Sequence, residues 1–195
     1  MEEILQRLKH ILSQRRKSYI TDASRIASAV LVPIYKKQGE YHILLTQRTE
    51  TVRNHKGQIS FPGGVYEDRD KTLQSTALRE CNEEIALAKE VVELLGEMDD
   101  FITATSNYII TPFVATIPWP YTFKPDPREV EEIMEVPVSS LLDKGCLQVE
   151  TEVTDGQESI AYTYNYRDKV IWGATAEILN QFLDIWTQVM KDTVT

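Results

Sequence analysis

Three glutamates and an arginine crowd one short stretch, Arg79-Glu80-Cys81-Asn82-Glu83-Glu84. Around them the sequence predicts an amphipathic helix over about Thr72 to Ala86, with Leu78, Cys81 and Ile85 forming an apolar stripe at i, i+3, i+7. Asp70 and Thr72 are its candidate N-caps. On such a helix Glu80, Glu83 and Glu84 fall at i, i+3, i+4, so their carboxylates share one edge. Like charges placed this way cost a few tenths of a kcal/mol per pair. A hard divalent cation, Mg²⁺ or Mn²⁺, would turn that repulsion into coordination, because both ions favour several carboxylate oxygens. A solvated acidic face would give the same spacing with no chemistry. It does not explain the arginine directly before Glu80, nor the Gly63-Gly64 pair that opens the segment Gly63 to Leu87.

The positive charge lies upstream. Between Arg48 and Ser60 the chain holds few apolar residues but carries Arg48, Arg53, His55, Lys56 and Gln58, the densest cationic patch in an acidic protein. A loop of this length without structure of its own is commonly functional or disordered; its direct run into the glutamate segment favours a functional one. Net charge is -9 and the isoelectric point is near 4.9, which disfavours a nucleic-acid partner. The arrangement suits an anionic small molecule gripped by a few cations and a metal.

The segment resembles the Nudix box, G-x5-E-x7-R-E-U-x-E-E-x-G-U with U a bulky aliphatic residue. Arg79-Glu80, Glu83-Glu84 and Leu87 are in register with it. Four departures stand out: Gly64 to Arg79 is one residue longer than the general pattern, Asp70 stands near the early Glu, Ala86 replaces the late Gly, and Cys81 takes an aliphatic position. Upstream, Leu44-Leu45-Thr46-Gln47-Arg48-Thr49, then Arg53, Gly57 and Phe61-Pro62-Gly63-Gly64, is similar to the LLTxR(S/T)x3Rx3Gx3FPGG motif of coenzyme A pyrophosphatases. The two motifs together span about Leu44 to Leu87.

The resemblance implies an α/β fold: the Nudix fold, an α/β/α sandwich with a mixed β-sheet and a loop-helix-loop catalytic motif. It implies metal-dependent hydrolysis of the diphosphate of coenzyme A, giving 4′-phosphopantetheine and adenosine 3′,5′-bisphosphate. Glu80, Glu83, Glu84 and the Gly63 carbonyl would hold Mg²⁺ or Mn²⁺. Arg79 would pin the carboxylates, and Glu83 or Glu129 would act as general base. Arg48, Arg53, His55, Gly57, Gln58 and Gly64 would contact substrate, including its 3′-phosphate. For Glu129 a plain exposed strand residue is the competing reading. Other nucleoside diphosphate-linked substrates (ADP-ribose, a nucleotide sugar, a dinucleotide) would keep the box. A non-catalytic ligand-sensing module is disfavoured by the presence of Arg79, Glu80, Glu83 and Glu84 together.

The remaining elements must carry these residues. Ala27 to Tyr35 and Tyr41 to Gln47 read as two strands joined at Lys36–Glu40, delivering Arg48 to the site's edge. Further strands are expected at Val91–Met98, at Tyr108–Ile117, where Pro112 marks an edge or bulge, and at Arg128–Val136, followed by a short helix at Val138–Leu142. Asp99–Asn107 reads as another loop at the site. Leu147–Val153 and Ile160–Tyr166 would form a hairpin around Asp155-Gly156. An Ile-Trp-Gly-x-Thr-Ala segment, Ile171 to Ala176, leads into a C-terminal helix. Met1–Lys17 reads as a helix ending in Arg15-Arg16-Lys17, appended as a cap to one domain spanning residues 1–195. Two cysteines, Cys81 and Cys146, read as reduced, and no stretch reaches membrane-spanning length, so a cytoplasmic enzyme without a membrane partner is expected. Self-association into a homodimer is left open.

Overall fold

Alternating apolar residues in two adjacent runs build the centre of the molecule. In the computed structural model, which describes residues 2–50, 56–103, 106–154 and 157–191, these runs are β1 (Ile26–Lys37) and β2 (Glu40–Arg48). They pair antiparallel, and β1 also pairs in parallel with β7 (Tyr108–Thr116). The eight-stranded mixed sheet has the order β3-β2-β1-β7-β5, where β3 is Ile59–Ser60 and β5 is Glu93–Glu97. Three further strands join it: β4 (Gly63–Val65) on β1, β6 (Phe101–Ile102) on β7 and β8 (Val130–Pro137) on β2. A second sheet of three strands is built from β9 (Leu147–Thr154), β10 (Gln157–Tyr166) and β11 (Lys169–Ile171).

Helices cover both faces of the large sheet. On one side α2 (Leu73–Ile85) buries Ala77, Cys81 and Ile85 against Ala29, Leu31 and Leu44. On the other, α1 (Glu3–Gln14) and α4 (Gly173–Lys191) pack Leu8, Leu12, Phe182 and Trp186 onto Ile43 and Leu45. The short α3 (Val138–Leu141) follows β8. This is the expected α/β/α sandwich. Both cysteines are free and buried. None of the described helices is long and apolar enough to cross a membrane.

Three expectations are corrected. The first helix stops at Gln14, and the basic cluster beyond it forms a strap: Arg15 binds Asp99 at 2.8 Å, while Lys17 binds Glu97 at 2.6 Å and Asp100 at 3.0 Å. Ion pairing to the β5–β6 region, not the helix dipole, explains those charges. Pro112 lies within β7, an interior strand, not at an edge. It sits opposite the break between β5 and β6, where its carbonyl takes the Met98 N–H at 2.9 Å and a missing donor is tolerated. The segment between Arg48 and Ser60, expected as a loop without structure of its own, ends in β3, and Gly63-Gly64 begin β4. The Asp155-Gly156 turn lies outside the described residues, although the flanking strands pair as a hairpin.

α1 approaches the sheet so closely that a Cβ on Gly96 of β5 would lie 2.6 Å from the Cβ of Leu12. Gly96→Ala is therefore expected to destabilise the fold by about 1–3 kcal/mol by lifting α1. Urea unfolding should show a lower midpoint with an unchanged slope; an unaltered midpoint would contradict this packing.

Candidate functional site

α2 begins where Thr72, with extended φ and ψ, accepts the Ser75 N–H at 3.1 Å. It ends at Ala86, which adopts the left-handed conformation at φ 56 and ψ 32. Asp70, the other candidate cap, has a different task. It is buried in a 3₁₀ turn (Asp68–Asp70) and accepts from Arg79 Nε at 2.7 Å, Arg79 Nη2 at 3.0 Å, the Thr76 hydroxyl at 2.9 Å and the Glu67 N–H at 2.9 Å. The Arg79 guanidinium holds the Asp70 carboxyl well below the usual carboxylate range. With that end fixed, Arg79 spends its other donors on Glu80 at 2.7 Å, Glu83 at 3.0 Å and the Val65 carbonyl at 3.0 Å. Arg79 thus links Asp70 to Glu80 and Glu83.

The three glutamates do not share one environment. Glu84 lies on the helix face with Ala77, Cys81 and Ile85, and its side chain is 3% exposed. Glu80 is mostly covered, at 16%, whereas Glu83 is 49% exposed and turned to Arg79 and Arg69. The stripe also differs from expectation: Thr76 and Ala77 are buried, whereas Leu78 is only half-buried. Helical rotation is the reason. Once Cys81 and Ile85 face the sheet, Glu84 must follow them inward and Glu83 must point away. Among the described residues, no three Asp, Glu, His or Cys side chains are gathered tightly enough to enclose a cation. The inward set is the pair Glu80 and Glu84.

Burial pushes the Glu84 carboxyl up to about 8; the Arg48 guanidinium pulls it down, and the charges of Glu80 and Glu129 raise it further. Glu80 is also raised, by burial first, against the opposing hydrogen bond from Arg79. Among the described residues the partners of Glu84 are sparse: the Gly63 N–H at 3.3 Å and Arg48 Nη1 at 3.7 Å. A buried carboxylate so weakly compensated calls for a proton or a cation. Both glycines are there for space. A Cβ on Gly63 would lie 2.3 Å from the Ala29 carbonyl, and one on Gly64 would lie 2.5 Å from the Glu80 carboxylate. Gly63 presents its N–H to Glu84, and Gly64 makes room for Glu80. The donor set, a nearly uncompensated Glu84 with Glu80 and Glu83 held beside it by Arg79, is of the carboxylate-oxygen type that a hard divalent cation takes.

The other expected residues fall out as follows. Arg48, at the end of β2, reaches Glu84, and its buried Nε has no hydrogen-bond partner among the described residues. Gly57, at φ 65, offers its carbonyl to Gln47 Nε2 at 3.3 Å, and the Gln58 carbonyl takes the Arg48 N–H at 2.9 Å. Both backbones thus shape the loop behind Arg48. Arg53 and His55 lie outside the described residues. Glu129 is exposed, directly before β8, and its carbonyl accepts the Thr49 N–H at 3.0 Å. Its charge is felt by both Glu80 and Glu84, which ties it to the site. The sequence reading missed Arg69, which bridges Glu67 at 2.6 Å and Glu83 at 3.2 Å. No spacing rule exposes it, since the contact crosses a turn.

A family model described as the NUDIX domain matches residues 25–156. The chain is 38% identical over 162 residues, 83% of its length, to "Uncharacterized Nudix hydrolase NudL" of Photorhabdus laumondii, covering 85% of that protein. The chain belongs to the Nudix hydrolase family. A relative of the same name in Yersinia pestis is 35% identical, with 83% of this chain and 80% of that one covered. Among solved structures, a MutT/nudix family protein from Enterococcus faecalis aligns over 91% of this chain and 71% of its own at a TM-score of 0.55, with 16% identity. The NUDIX domain of Shewanella oneidensis NrtR, crystallised with ADP ribose, aligns over 73% and 87% at 0.50, with 18% identity. These similarities establish the Nudix fold around the site and an enzyme family acting on diphosphate bonds.

Two substitutions probe this Nudix helix. Ala86→Gly relieves the left-handed strain at the helix end and should raise stability by about 1 kcal/mol, read as a higher melting temperature. Asp70→Ala removes two of the hydrogen bonds of Arg79, leaving those to Glu80, Glu83 and Val65, and should cost about 1–3 kcal/mol at neutral pH. A depressed carboxyl pKa stabilises above the unfolded value of 3.8 and stops doing so as pH falls through the folded value. The gap between wild type and Asp70→Ala in urea denaturation should therefore begin to narrow only below about pH 4 and shrink steadily as pH falls toward the folded value; a gap that stays constant over that fall would exclude the ion pair as its cause.

Proposed function

We propose that this Nudix hydrolase cleaves the diphosphate of coenzyme A or its derivatives, releasing 4′-phosphopantetheine and adenosine 3′,5′-bisphosphate. The observation that carries the reading is the approach of Arg48 to Glu84 at 3.7 Å. It joins the upstream motif, in which Arg48 resides, to the box glutamate on α2 in a single site.

Glu80, Glu83, Glu84 and the Gly63 carbonyl are the groups that would hold Mg²⁺ or Mn²⁺. When bound, the ion supplies charge neutralisation at the diphosphate oxygens and acidifies water. Arg79, anchored by Asp70, keeps Glu80 and Glu83 in orientation. The more exposed carboxylates, Glu83 and Glu129, are the candidates to take a proton from the attacking water as its oxygen bonds to phosphorus and the bridging P–O bond breaks. Arg48, together with Arg53, His55, Gly57, Gln58 and Gly64, is assigned to the substrate, and the cationic members balance phosphate charge in an otherwise acidic protein. The partner is thus a small molecule.

The test is turnover of coenzyme A, ADP-ribose and a dinucleoside polyphosphate by purified protein with Mg²⁺ or Mn²⁺, with products identified by mass. Coenzyme A should be preferred. Glu84→Gln, which keeps shape but removes charge, should lower kcat on the order of 10²-fold or more, beyond the typical effect of losing an outer-shell partner. Undiminished turnover by folded Glu84→Gln protein would remove Glu84 from the metal set. Preference for another diphosphate would reassign the substrate.

A further inference from the structure

β8 pairs with β2 and with no other strand among the described residues, so one row of its peptide groups faces away from the sheet. That open edge lines a trough of about 990 Å³. One bank is aromatic, made by Tyr121 and Phe123, whose ring centroids are 5.0 Å apart; the other is the turn between β10 and β11 carrying Arg167 and Lys169. The near end of the trough, at Pro125 and Glu131, adjoins the site. Asp126, next to Pro125, donates its N–H to the Glu84 carbonyl at 2.8 Å, and Val130, next to Glu131, stands in register with Arg48. From there an eight-residue strand leads off toward Lys37 for roughly 25 Å.

The charge of the trough selects its occupant. Its three cations, Lys37, Arg167 and Lys169, face four anions, Glu131, Glu132, Glu135 and Asp168. Two pairs neutralise each other, Lys37 with Glu135 and Lys169 with Glu132, the latter at 3.0 Å. What remains is close to neutral and faintly negative, a poor place for phosphates. The open strand edge and aromatic bank instead suit an extended, uncharged chain bearing amides, because each amide brings one N–H and one C=O, the complement of a free β edge.

Resting on the coenzyme A reading, we propose that this trough binds the pantetheine arm of the substrate, an uncharged extended chain with two secondary amides. The arm lies along β8 against Tyr121 and Phe123, and the phosphorylated adenosine is left to the cationic segment around Arg48. The interaction is a short β-augmentation by a ligand rather than by a peptide.

The full-length protein and pantetheine, which carries no phosphate, test this directly. Millimolar pantetheine should shift the backbone amide resonances of residues 131–135, and Phe123→Ala should weaken that response. In turnover assays Phe123→Ala should raise KM for coenzyme A roughly 5- to 10-fold at near-constant kcat. Unshifted 131–135 amides in the wild-type protein would overturn the trough assignment whatever the reaction proves to be. So would an unchanged KM in folded Phe123→Ala. Failure to cleave coenzyme A while pantetheine still shifts β8 would strike the proposed reaction and leave the trough as the binding site for the arm.

Discussion

The burial of one negative charge governs this site. Glu84 has almost no access to water, and among the described residues its closest compensation is an amide at 3.3 Å and a guanidinium at 3.7 Å. An isolated carboxylate in such surroundings is costly, so it keeps a proton or acquires a positive partner. Neighbouring backbone is shaped to the same end. Gly63 lets β4 run against β1 at a distance no side chain permits, and Gly64 leaves the space that the Glu80 carboxylate fills. The two glycines and the two inward glutamates form one packing unit.

Around that unit the carboxylates are differentiated by their partners. Asp70 is shut away with Arg79 and serves only to orient it. Glu80 is covered and held by the same guanidinium, Glu83 is exposed and shared between Arg79 and Arg69, and Glu84 is buried and nearly bare. Separating the environments of like groups is how a single chemical type can serve as ligand, anchor and base. The short Asp70 side chain reaches Arg79 because the 3₁₀ turn brings it over the first turns of α2, where Thr76 also binds it.

The scaffold supports this from both faces. β2 carries Arg48 to the sheet's end while its neighbours Ile43 and Leu45 lie in the core beneath α1 and α4. The strap from Arg15 to Lys17 is tied to Glu97, Asp99 and Asp100, so the helical layer opposite the site is fastened at its edge as well as packed at its centre. The open flank of β8 then lies beside a site whose charge and geometry are already set, which is where a long, flexible substrate arm can be received.

Residue type and spacing alone determined the box helix, with its N-cap narrowed to Asp70 or Thr72, and the paired strands that deliver Arg48, because each depends on contacts within a few turns or a single hairpin. The sandwich architecture was implied by the resemblance to the Nudix box, not by periodicity, which gave only the individual helices and strands. Periodicity could not decide which glutamates turn inward: the stripe was read as Leu78, Cys81 and Ile85, and packing against β1 buries Ala77, Cys81 and Ile85 instead, carrying Glu84 inward with them. Asp70 as anchor, Arg69 beside Glu83, Pro112 inside the sheet and the trough along β8 likewise arise only when segments distant in sequence meet. Tertiary structure decided those, since burial and charge compensation are properties of surroundings that a linear pattern does not contain.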